Sequence, residues 1–293
     1  MKRLGMTALA LLLAGCRATT FFVANAPANF ASVDHRFDIP YGEFPRQRLD
    51  VYTPKHSAKK NSPVVVFWYG GSFVEGGKSD YRFVGTTLAQ HGVVAVVPDY
   101  RLFPEVTFPG FDEDGARAVA WVQKHIQQFG GDPHRVVLMG HSAGVHIAAF
   151  LALNHAFLRK YGGDPSGIAG LVGLSGLYII EPPPGTHYPA FPLPYTDKDF
   201  QPLGFADAAA PPTLLLHGAA DQELSVEQAA KMRDTLLANH VHAELRIYPG
   251  KGHPDTVASF TPVKRGLTPA VEDSVAFIQG LERAPAQAIA AGT

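Results

Sequence analysis

The sequence predicts a single α/β domain with a mostly parallel central sheet and helices on both faces. Short runs rich in Val, Leu and Ile alternate with amphipathic segments along most of the 293 residues. Several of these runs are almost continuously apolar, as in parallel strands covered on both sides. The chain is 46% hydrophobic and 17% charged, which provides enough apolar side chains for one large core.

The predicted strands and helices follow one another in a regular order. The segment FDIPYGEFPRQRLDVYTP indicates an opening pair of strands, and six later runs indicate further ones: PVVVFWYGG, VVAVVPDY, RVVLMG, IAGLVGLSG, PTLLLHG and AELRIYPG. Apolar residues at helical spacing predict helices at about 113–129, 142–154, 225–239 and 268–281. Strands that alternate with helices join by crossover connections, and this pattern therefore predicts parallel pairing.

Charge and cysteine content argue against several classes of partner. The formal net charge is -1, and Lys and Arg form no run outside the first three residues, so a nucleic-acid partner is not expected. The single cysteine, Cys16, allows neither an internal disulfide nor a thiolate metal site in the folded part. We expect no metal and no other cofactor, and the oligomeric state cannot be derived from these residues.

The N-terminus has the layout of a secretory signal peptide. Residues 1–15 combine a basic start with an apolar run that is too short to span a bilayer. The run ends in Leu-Ala-Gly-Cys, which resembles a bacterial lipobox in which Cys16 is lipidated and becomes the mature N-terminus. We therefore expect a signal peptide at 1–15, a lipidated tether at 16–32 and one folded domain at 33–293.

A lipid anchor at Cys16 implies attachment to a membrane of a bacterial cell envelope. Lipoproteins that remain at the inner membrane tend to carry Asp after the cysteine, whereas this chain has Arg17, so the outer membrane is the expected destination. The alternative is an ordinary cleaved signal with an incidental cysteine. In that case the protein would be periplasmic or secreted.

The segment GHSAG, residues 140–144, fits the pattern G-x-S-x-G and lies between a predicted strand and a predicted helix. Small flanking residues permit a sharp turn there, which would lift the Ser142 hydroxyl above the sheet at the N-terminus of the helix. This context predicts a nucleophile. The alternative is a structural turn serine, although Gly or Asn could make the same turn without a reactive group.

A serine nucleophile needs a base and an orienting carboxylate, which in such a sheet follow in the order Ser, Asp or Glu, His at strand ends. Asp221 is the first carboxylate after PTLLLHG, and His253 lies a few residues after AELRIYPG. The predicted catalytic set is therefore Ser142, Asp221 and His253, with Glu223 as a competitor for the acid. His141 and His217 are predicted to pack in the core or line the cleft, and His146 is predicted to lie in the helix near the nucleophile.

Acyl transfer also needs backbone N–H donors for the negative charge that develops on the carbonyl oxygen. One donor is expected at Ala143, the residue after the nucleophile. The other is expected in the loop after the strand PVVVFW, where Gly70 and Gly71 place no side chain in the way. The alternative for this glycine pair is a flexible turn.

Three segments carry a resemblance to a known family: WYGGSF, VVPDYRLFPEVTFPGFDEDGARAVAWV and FGGDPHRVVLMGHSAGVHIAA. Together they resemble the hormone-sensitive-lipase branch of the α/β-hydrolases and the related isoprenylcysteine-methylesterase and kynurenine-formamidase-like enzymes. The resemblance implies an α/β-hydrolase fold. The family commonly has His where this chain has Tyr69. Within the resemblance, the segment Asp99-Tyr100-Arg101 looks fold-supporting and not catalytic.

The favoured function is a serine carboxylesterase that acts on a small-molecule ester through an acyl-enzyme intermediate. Two alternatives stay open: a formamidase or amidase acting on a small activated amide, and a non-catalytic envelope lipoprotein that only binds its ligand. A binding protein would not need the nucleophile, acid, base and glycine loop together.

Residues 178–206 are a candidate lid insertion, since related enzymes often insert a lid at this place. Their Pro, Tyr and Phe content suggests an apolar wall, and an unstructured surface loop is the alternative.

Overall fold

In the computed structural model, which describes residues 19–55, 61–181 and 188–282, the strands form one sheet. The described strands are β1 (Val33–Pro40), β2 (Arg48–Pro54), β3 (Ser62–Trp68), β4 (Val94–Pro98), β5 (Gly131–His141), β6 (Ile168–Leu174), β7 (Thr213–Gly218) and β8 (Ala243–Tyr248). Their order across the sheet is β1-β2-β4-β3-β5-β6-β7-β8. The strand β2 is antiparallel to both of its neighbours, and the pairs from β4 to β8 are parallel, which confirms the predicted sheet.

Of the eight helices that the described chain forms from Arg82 onward, six lie in connections between strands and the last two follow β8. They are α1 (Arg82–Gln90), α2 (Gly110–His125), α3 (Ala143–Leu153), α4 (His155–Lys160), α5 (Asp197–Phe200), α6 (Val226–Ala238), α7 (Asp255–Ala258) and α8 (Ala270–Gly280). The four predicted helices are present, and α2 begins three residues earlier than expected. The sequence did not predict α1, because a glycine and two threonines weaken its local helical signal. Packing requires that glycine, since a Cβ at Gly85 would lie 2.4 Å from the ring of Tyr52.

The central strands are covered on both faces. Every residue of β3, β4, β6 and β7 is buried, and successive side chains of a strand point to opposite faces of the sheet. Helices and loops must therefore shield both sides. The edge strand β1 is exposed along most of its length. The carboxyl ends of β3, β5, β7 and β8 meet along one edge of the sheet, where crevices form in open α/β folds.

The N-terminal end of the described chain is attached to the domain. Residues 19–25 are helical, and a 3₁₀ turn follows at Ala26–Phe30. The Asn25 side chain donates to the carbonyl oxygens of Ser79 and Asp80 and accepts from the N–H of Phe83. These bonds fix part of the segment predicted as a tether. The predicted signal peptide and Cys16 lie outside the described residues.

Membrane-spanning helices and metal-binding clusters both bear on the possible partners of the protein. Within 19–55, 61–181 and 188–282, no helix combines the length and the apolar character needed to cross a bilayer. Over the same residues, no group of His, Cys, Asp and Glu side chains is arranged to hold a metal ion.

Candidate active site

Ser142 lies in a sharp turn between β5 and α3. Its backbone has φ 54° and ψ -125°, a conformation that costs a residue other than glycine roughly 1–3 kcal/mol. The Ser142 N–H donates to the carbonyl of Leu174 at 3.1 Å, which ties the turn to β6. Gly144 allows the helix to approach β3, because a Cβ there would lie 2.1 Å from the Trp68 carbonyl oxygen. The surrounding sheet thus holds the half-buried serine in the strained turn.

Asp221 and His253 follow β7 and β8 and contact each other. His253 Nδ1 lies 2.8 Å from Asp221 Oδ2, with the side chains 6% and 1% exposed. The other oxygen, Asp221 Oδ1, accepts from the N–H groups of Glu223 and Leu224, each at 2.9 Å. Burial alone would raise the pKa of Asp221, but the Leu224 N–H and the His253 imidazole outweigh it and hold this pKa below its ordinary value. The carboxylate is therefore charged, and His253 Nδ1 donates to it.

Glu223, the competitor for the acid, lies on the other side of the ring. Its Oε2 is 3.7 Å from His253 Nε2, and its side chain is 69% exposed. A carboxylate that orients a histidine base must bind the nitrogen that does not receive the proton. Asp221 binds Nδ1 of His253 and therefore has the position of the orienting acid, whereas Glu223 lies near Nε2.

His141 and His217, which were predicted to pack in the core or line the cleft, contact the pair formed by Asp221 and His253. His217 Nε2 lies 3.0 Å from the Leu224 carbonyl and 3.1 Å from Asp221 Oδ2, and burial lowers the pKa of His217. His141 Nε2 donates to the carbonyl of His253 at 3.3 Å, and burial lowers the pKa of His141 to about 3. Both rings support the backbone and carboxylate around His253. The one sequence signal for His217 is its position four residues before Asp221.

The glycine loop after β3 lies against the serine. A Cβ at Gly70 would be 2.9 Å from the Cβ of Ser142, which shows how closely the two backbones approach. Gly71 has φ +125°, and a Cβ there would lie 2.2 Å from the Glu75 carbonyl oxygen. Since no L side chain fits that position without a shift, the loop needs glycine at residue 71. The structure thus brings Gly70, Gly71, Ser142 and Ala143 to one place.

Tyr69, where the resembling family has His, is a buried structural residue. Its hydroxyl donates to Asp99 Oδ1 at 2.7 Å and accepts from Arg46 Nη2 at 2.9 Å. Its ring stacks between those of Tyr81 and Tyr100, with centroids 5.6 and 4.8 Å away. Burial raises the pKa of Tyr69, so the hydroxyl stays protonated. The residue braces the start of the glycine loop.

The segment after β4 supports the fold, as the resemblance implied. Tyr100 donates from its hydroxyl to the Tyr69 carbonyl at 2.9 Å. Arg101 binds Asp114 of α2 through Nη2 at 2.7 Å and Nε at 2.9 Å, and Asp114 also accepts from Gln47 Nε2. These bonds join β4, the opening strands and α2 behind the site.

A buried pair beneath the loop was not predicted from the sequence. Asp112 of α2 and His146 of α3 are both fully buried, with His146 Nε2 3.6 Å from Asp112 Oδ2, and burial raises the pKa of Asp112. Phe73, two residues after Gly71, packs its ring edge-on against His146 at 5.4 Å. His146 was expected near the nucleophile. Asp112 had no sequence signal, because its nearest partner is far away in the chain.

A cleft of about 530 Å³ opens above Ser142 and Ala143. The loop after Gly71 contributes Ser72, Phe73 and Val74 to the lining, and residues 177, 179–181 and 188–191 also line the cleft. The lining is mainly apolar, with a few polar side chains at Glu181, Glu223 and Gln228. Such a cleft suits a small organic ligand that presents one polar group to the serine.

The described parts of segment 178–206 are packed on the domain. Gln201 donates from Nε2 to the Ile180 carbonyl at 2.7 Å and accepts the Ile180 N–H at 2.6 Å. The N–H of Phe108 donates to the Ala190 carbonyl at 2.7 Å. These bonds join the two ends of the segment and hold its middle against the cleft. Residues 182–187 lie outside the described chain.

Comparison with known proteins identifies families and relatives that this chain resembles. Residues 49–163 match the BD-FAE family, and residues 116–279 match the prolyl oligopeptidase family. An isoprenylcysteine alpha-carbonyl methylesterase of Arabidopsis thaliana is 32% identical over 94% of this chain, which spans 68% of that protein. Esterase LipC of Mycobacterium tuberculosis is 30% identical over 75% of this chain, which spans 59% of LipC.

A solved structure supports the fold. Butyrate-bound esterase 2 of Thermogutta terrifontis superposes with a TM-score of 0.70 at 22% identity, over 86% of this chain and 94% of that one. The long alignments to proteins named as esterases and the eight-stranded sheet lead to the same assignment. The chain belongs to the α/β-hydrolase group that contains isoprenylcysteine methylesterases and bacterial esterases, and it is a carboxylesterase-like hydrolase.

Proposed function

We propose that this protein hydrolyses small carboxylic esters with Ser142 as nucleophile, His253 as base and Asp221 as the orienting acid. The observation that carries the proposal is the 2.8 Å hydrogen bond from His253 Nδ1 to the charged Asp221. This bond fixes the tautomer in which Nε2 carries the lone pair that a base needs. The strained position of Ser142 above the sheet agrees with this role.

The reaction has two halves. In the first, Ser142 Oγ forms a bond to the ester carbonyl carbon while His253 Nε2 takes the hydroxyl proton. The bond to the alcohol oxygen then breaks, and His253 returns the proton to the leaving alkoxide. In the second half, water attacks the acyl-enzyme, its proton passes through His253 to Ser142, and the carboxylic acid leaves.

Backbone N–H groups stabilise the negative charge in both halves. We assign this role to Ala143 and to the loop at Gly70 and Gly71, since both segments lie directly against Ser142. Such donors are aimed at charge that exists only in the transition state, so they act mainly on kcat.

Paired substrates test the bond that is cleaved. Purified protein should hydrolyse p-nitrophenyl butyrate with a kcat/KM at least about a hundredfold above that for an N-formyl anilide, because p-nitrophenolate is a much better leaving group than the anilide nitrogen. The opposite ratio would show a formamidase. If the protein hydrolysed neither substrate, the alternative of a binding protein would be favoured and the proposal would be contradicted.

Gly71→Ala tests the glycine loop. The added methyl group would clash with the Glu75 carbonyl oxygen and must therefore shift the loop backbone beside Ser142. We expect kcat on p-nitrophenyl butyrate to fall by about 10²–10³-fold with a smaller change in KM, as for loss of an oxyanion donor. The matched control is Gly204→Ala, where a Cβ has no atom within 4 Å. If the two variants had equal kcat and KM, the loop at Gly70 and Gly71 would have no role in stabilising the negative charge.

We further propose that Cys16 is lipidated and holds the enzyme at a membrane of the bacterial envelope, with the outer membrane as its destination. Support comes from the Leu-Ala-Gly-Cys segment and from Arg17 in the next position. Several acyl chains on one cysteine give stable anchoring, whereas a single chain binds only marginally.

Cys16→Ser tests the anchor. The native protein should fractionate with membranes and carry lipid mass on Cys16, and the variant should lose that mass and either leave the membrane or retain its signal peptide. Hydrolysis per folded molecule should stay the same, since the predicted catalytic residues lie far along the chain. Soluble native protein without lipid on Cys16 would instead identify an ordinary periplasmic or secreted esterase.

A further inference from the structure

The two ends of the glycine loop bind the same carboxylate oxygen. The loop begins at Tyr69, after β3, and ends at Lys78, while Asp99 directly follows β4. Oδ1 of Asp99 accepts the Tyr69 hydroxyl at 2.7 Å and the backbone N–H of Lys78, also at 2.7 Å. One atom of Asp99 therefore joins the start of the loop to its end.

Arg46 forms a second bridge across the loop. Its Nη2 donates to the hydroxyl oxygen of Tyr69 and to the carbonyl oxygen of Gly76, both at 2.9 Å. Its Nε donates to the carbonyl of Tyr100 at 2.7 Å, and Nη2 lies 3.7 Å from Asp99 Oδ1. We call Asp99 and Arg46 the clamp, because each of them binds both ends of the loop.

The end of the loop lies directly on its start. A Cβ at Gly76 would be 2.7 Å from the ring of Tyr69 and 3.0 Å from the carbonyl oxygen of Gly70. Gly70 in turn lies against Ser142, where a Cβ would be 2.9 Å from the serine Cβ. A shift of either end of the loop would therefore reach the backbone beside Ser142, because close-packed groups cannot move independently.

The charges of the clamp are largely removed from water. The Asp99 side chain is 18% exposed and that of Arg46 is 30% exposed. Burial raises the pKa of Asp99, and the hydrogen bonds from Tyr69 and Lys78 act against that rise. A buried carboxylate is unfavourable without donors, and hydrogen bonds to it are stronger than those between neutral groups. The clamp therefore favours the one loop conformation that supplies all of its donors.

We propose that Asp99 is a positioning residue for the hydrolysis: together with Arg46 it holds the N–H groups of Gly70 and Gly71 where they bind the reacting carbonyl oxygen. Asp99 is not among the described residues that line the cleft at Ser142, so it acts through the loop. The family resemblance implied a fold-supporting role for Asp99, and this inference adds a role in the reaction. It rests on the proposed ester hydrolysis.

Asp99→Leu and Asp99→Asn test the clamp. Leucine is similar in size but accepts no hydrogen bond, whereas the amide oxygen of asparagine can accept from both Tyr69 and Lys78. We expect kcat on p-nitrophenyl butyrate to fall by about 10²-fold in the leucine variant, with a change in KM below about threefold. The asparagine variant should keep a kcat at least about tenfold above that of the leucine variant. A folded leucine variant with native kcat would overturn the proposal.

Tyr69→Phe decides the question if the leucine variant does not fold. It removes only the hydroxyl that binds Asp99 and Arg46, and it leaves the ring in place. The matched control is Tyr248→Phe, because the Tyr248 hydroxyl donates to Asp273 at 2.7 Å and Asp273 also binds an arginine. We expect kcat to fall by at least about tenfold in Tyr69→Phe and to stay native in the control. Equal kcat values in these two variants would contradict the proposal.

The double variant Gly71→Ala with Asp99→Leu separates positioning from a general structural role. If Asp99 acts through the loop, adding Asp99→Leu to Gly71→Ala should lower kcat by less than about threefold, since the loop donors are already displaced. Independent effects would instead multiply, and kcat would fall by about 10²-fold again. That second result would show that Asp99 does not act through the loop.

The positioning role and the proposed function fail in different experiments. If the native protein does not hydrolyse the butyrate ester in a way that depends on Ser142, the proposed function fails. If it does, and folded Asp99→Leu and Tyr69→Phe keep the native kcat, only the positioning role of Asp99 is wrong. Circular dichroism and thermal unfolding establish that each variant is folded.

Discussion

Ser142→Ala is expected to lower kcat/KM for p-nitrophenyl butyrate by at least about 10⁴-fold, towards the background rate. Removal of a serine nucleophile in a triad typically costs that much or more, because the remaining base and acid cannot act without it. The substitution deletes one oxygen at a half-buried position and leaves the strained backbone as it is. Circular dichroism and thermal unfolding should therefore match the native protein.

Ser72→Ala is a matched control for the nucleophile. Ser72 lines the same cleft and also has a positive φ, 52°, so it shares both the location and the strain of Ser142. Its loss should change kcat/KM by less than about tenfold, since it has no catalytic role in the proposed mechanism. A fluorophosphonate should label the native and Ser72→Ala proteins but not Ser142→Ala. If Ser142→Ala kept more than about a hundredth of the activity, the nucleophile would be another group.

Asp221→Asn is expected to lower kcat by about 10³–10⁴-fold with little change in KM. An amide cannot stabilise the imidazolium that forms on His253, and it permits the tautomer in which Nε2 carries the hydrogen and is no longer a base. The variant also loses the charge that accepts the Leu224 N–H and lies 3.1 Å from His217 Nε2. Steady-state kinetics on p-nitrophenyl butyrate, together with a thermal melt, separate this catalytic loss from a loss of stability.

Glu223→Gln is the control for the acid, because it removes a carboxylate two residues away. Glu223 is mostly exposed and lies near His253 Nε2, where its charge is screened by solvent. We expect a change of less than about tenfold. If Glu223→Gln caused the large loss and Asp221→Asn the small one, the orienting carboxylate would have to be reassigned to Glu223.

Much of the architecture was predictable from local pattern. The apolar runs of β3 to β7 are nearly continuous because both of their faces are buried, and that signal needs no knowledge of the fold. The G-x-S-x-G segment identified the turn at Ser142, since glycine and serine are needed there by local geometry. The candidate acid and base followed from chain order, because each comes after its own strand.

By itself, the sequence determined the strand order along the chain, the turn at Ser142 and the short list of candidate side chains. The tertiary structure decided between neighbours on that list: Asp221 and Glu223 both follow β7, and only the fold places one of them at Nδ1 of His253. It also decided that Tyr69 is a buried structural residue whose hydroxyl binds Asp99 and Arg46. The reason is physical. Backbone propensity and apolar periodicity act over a few residues, whereas these contacts join segments 23 or more residues apart, whose distance is set by the packing of the whole sheet and its helices.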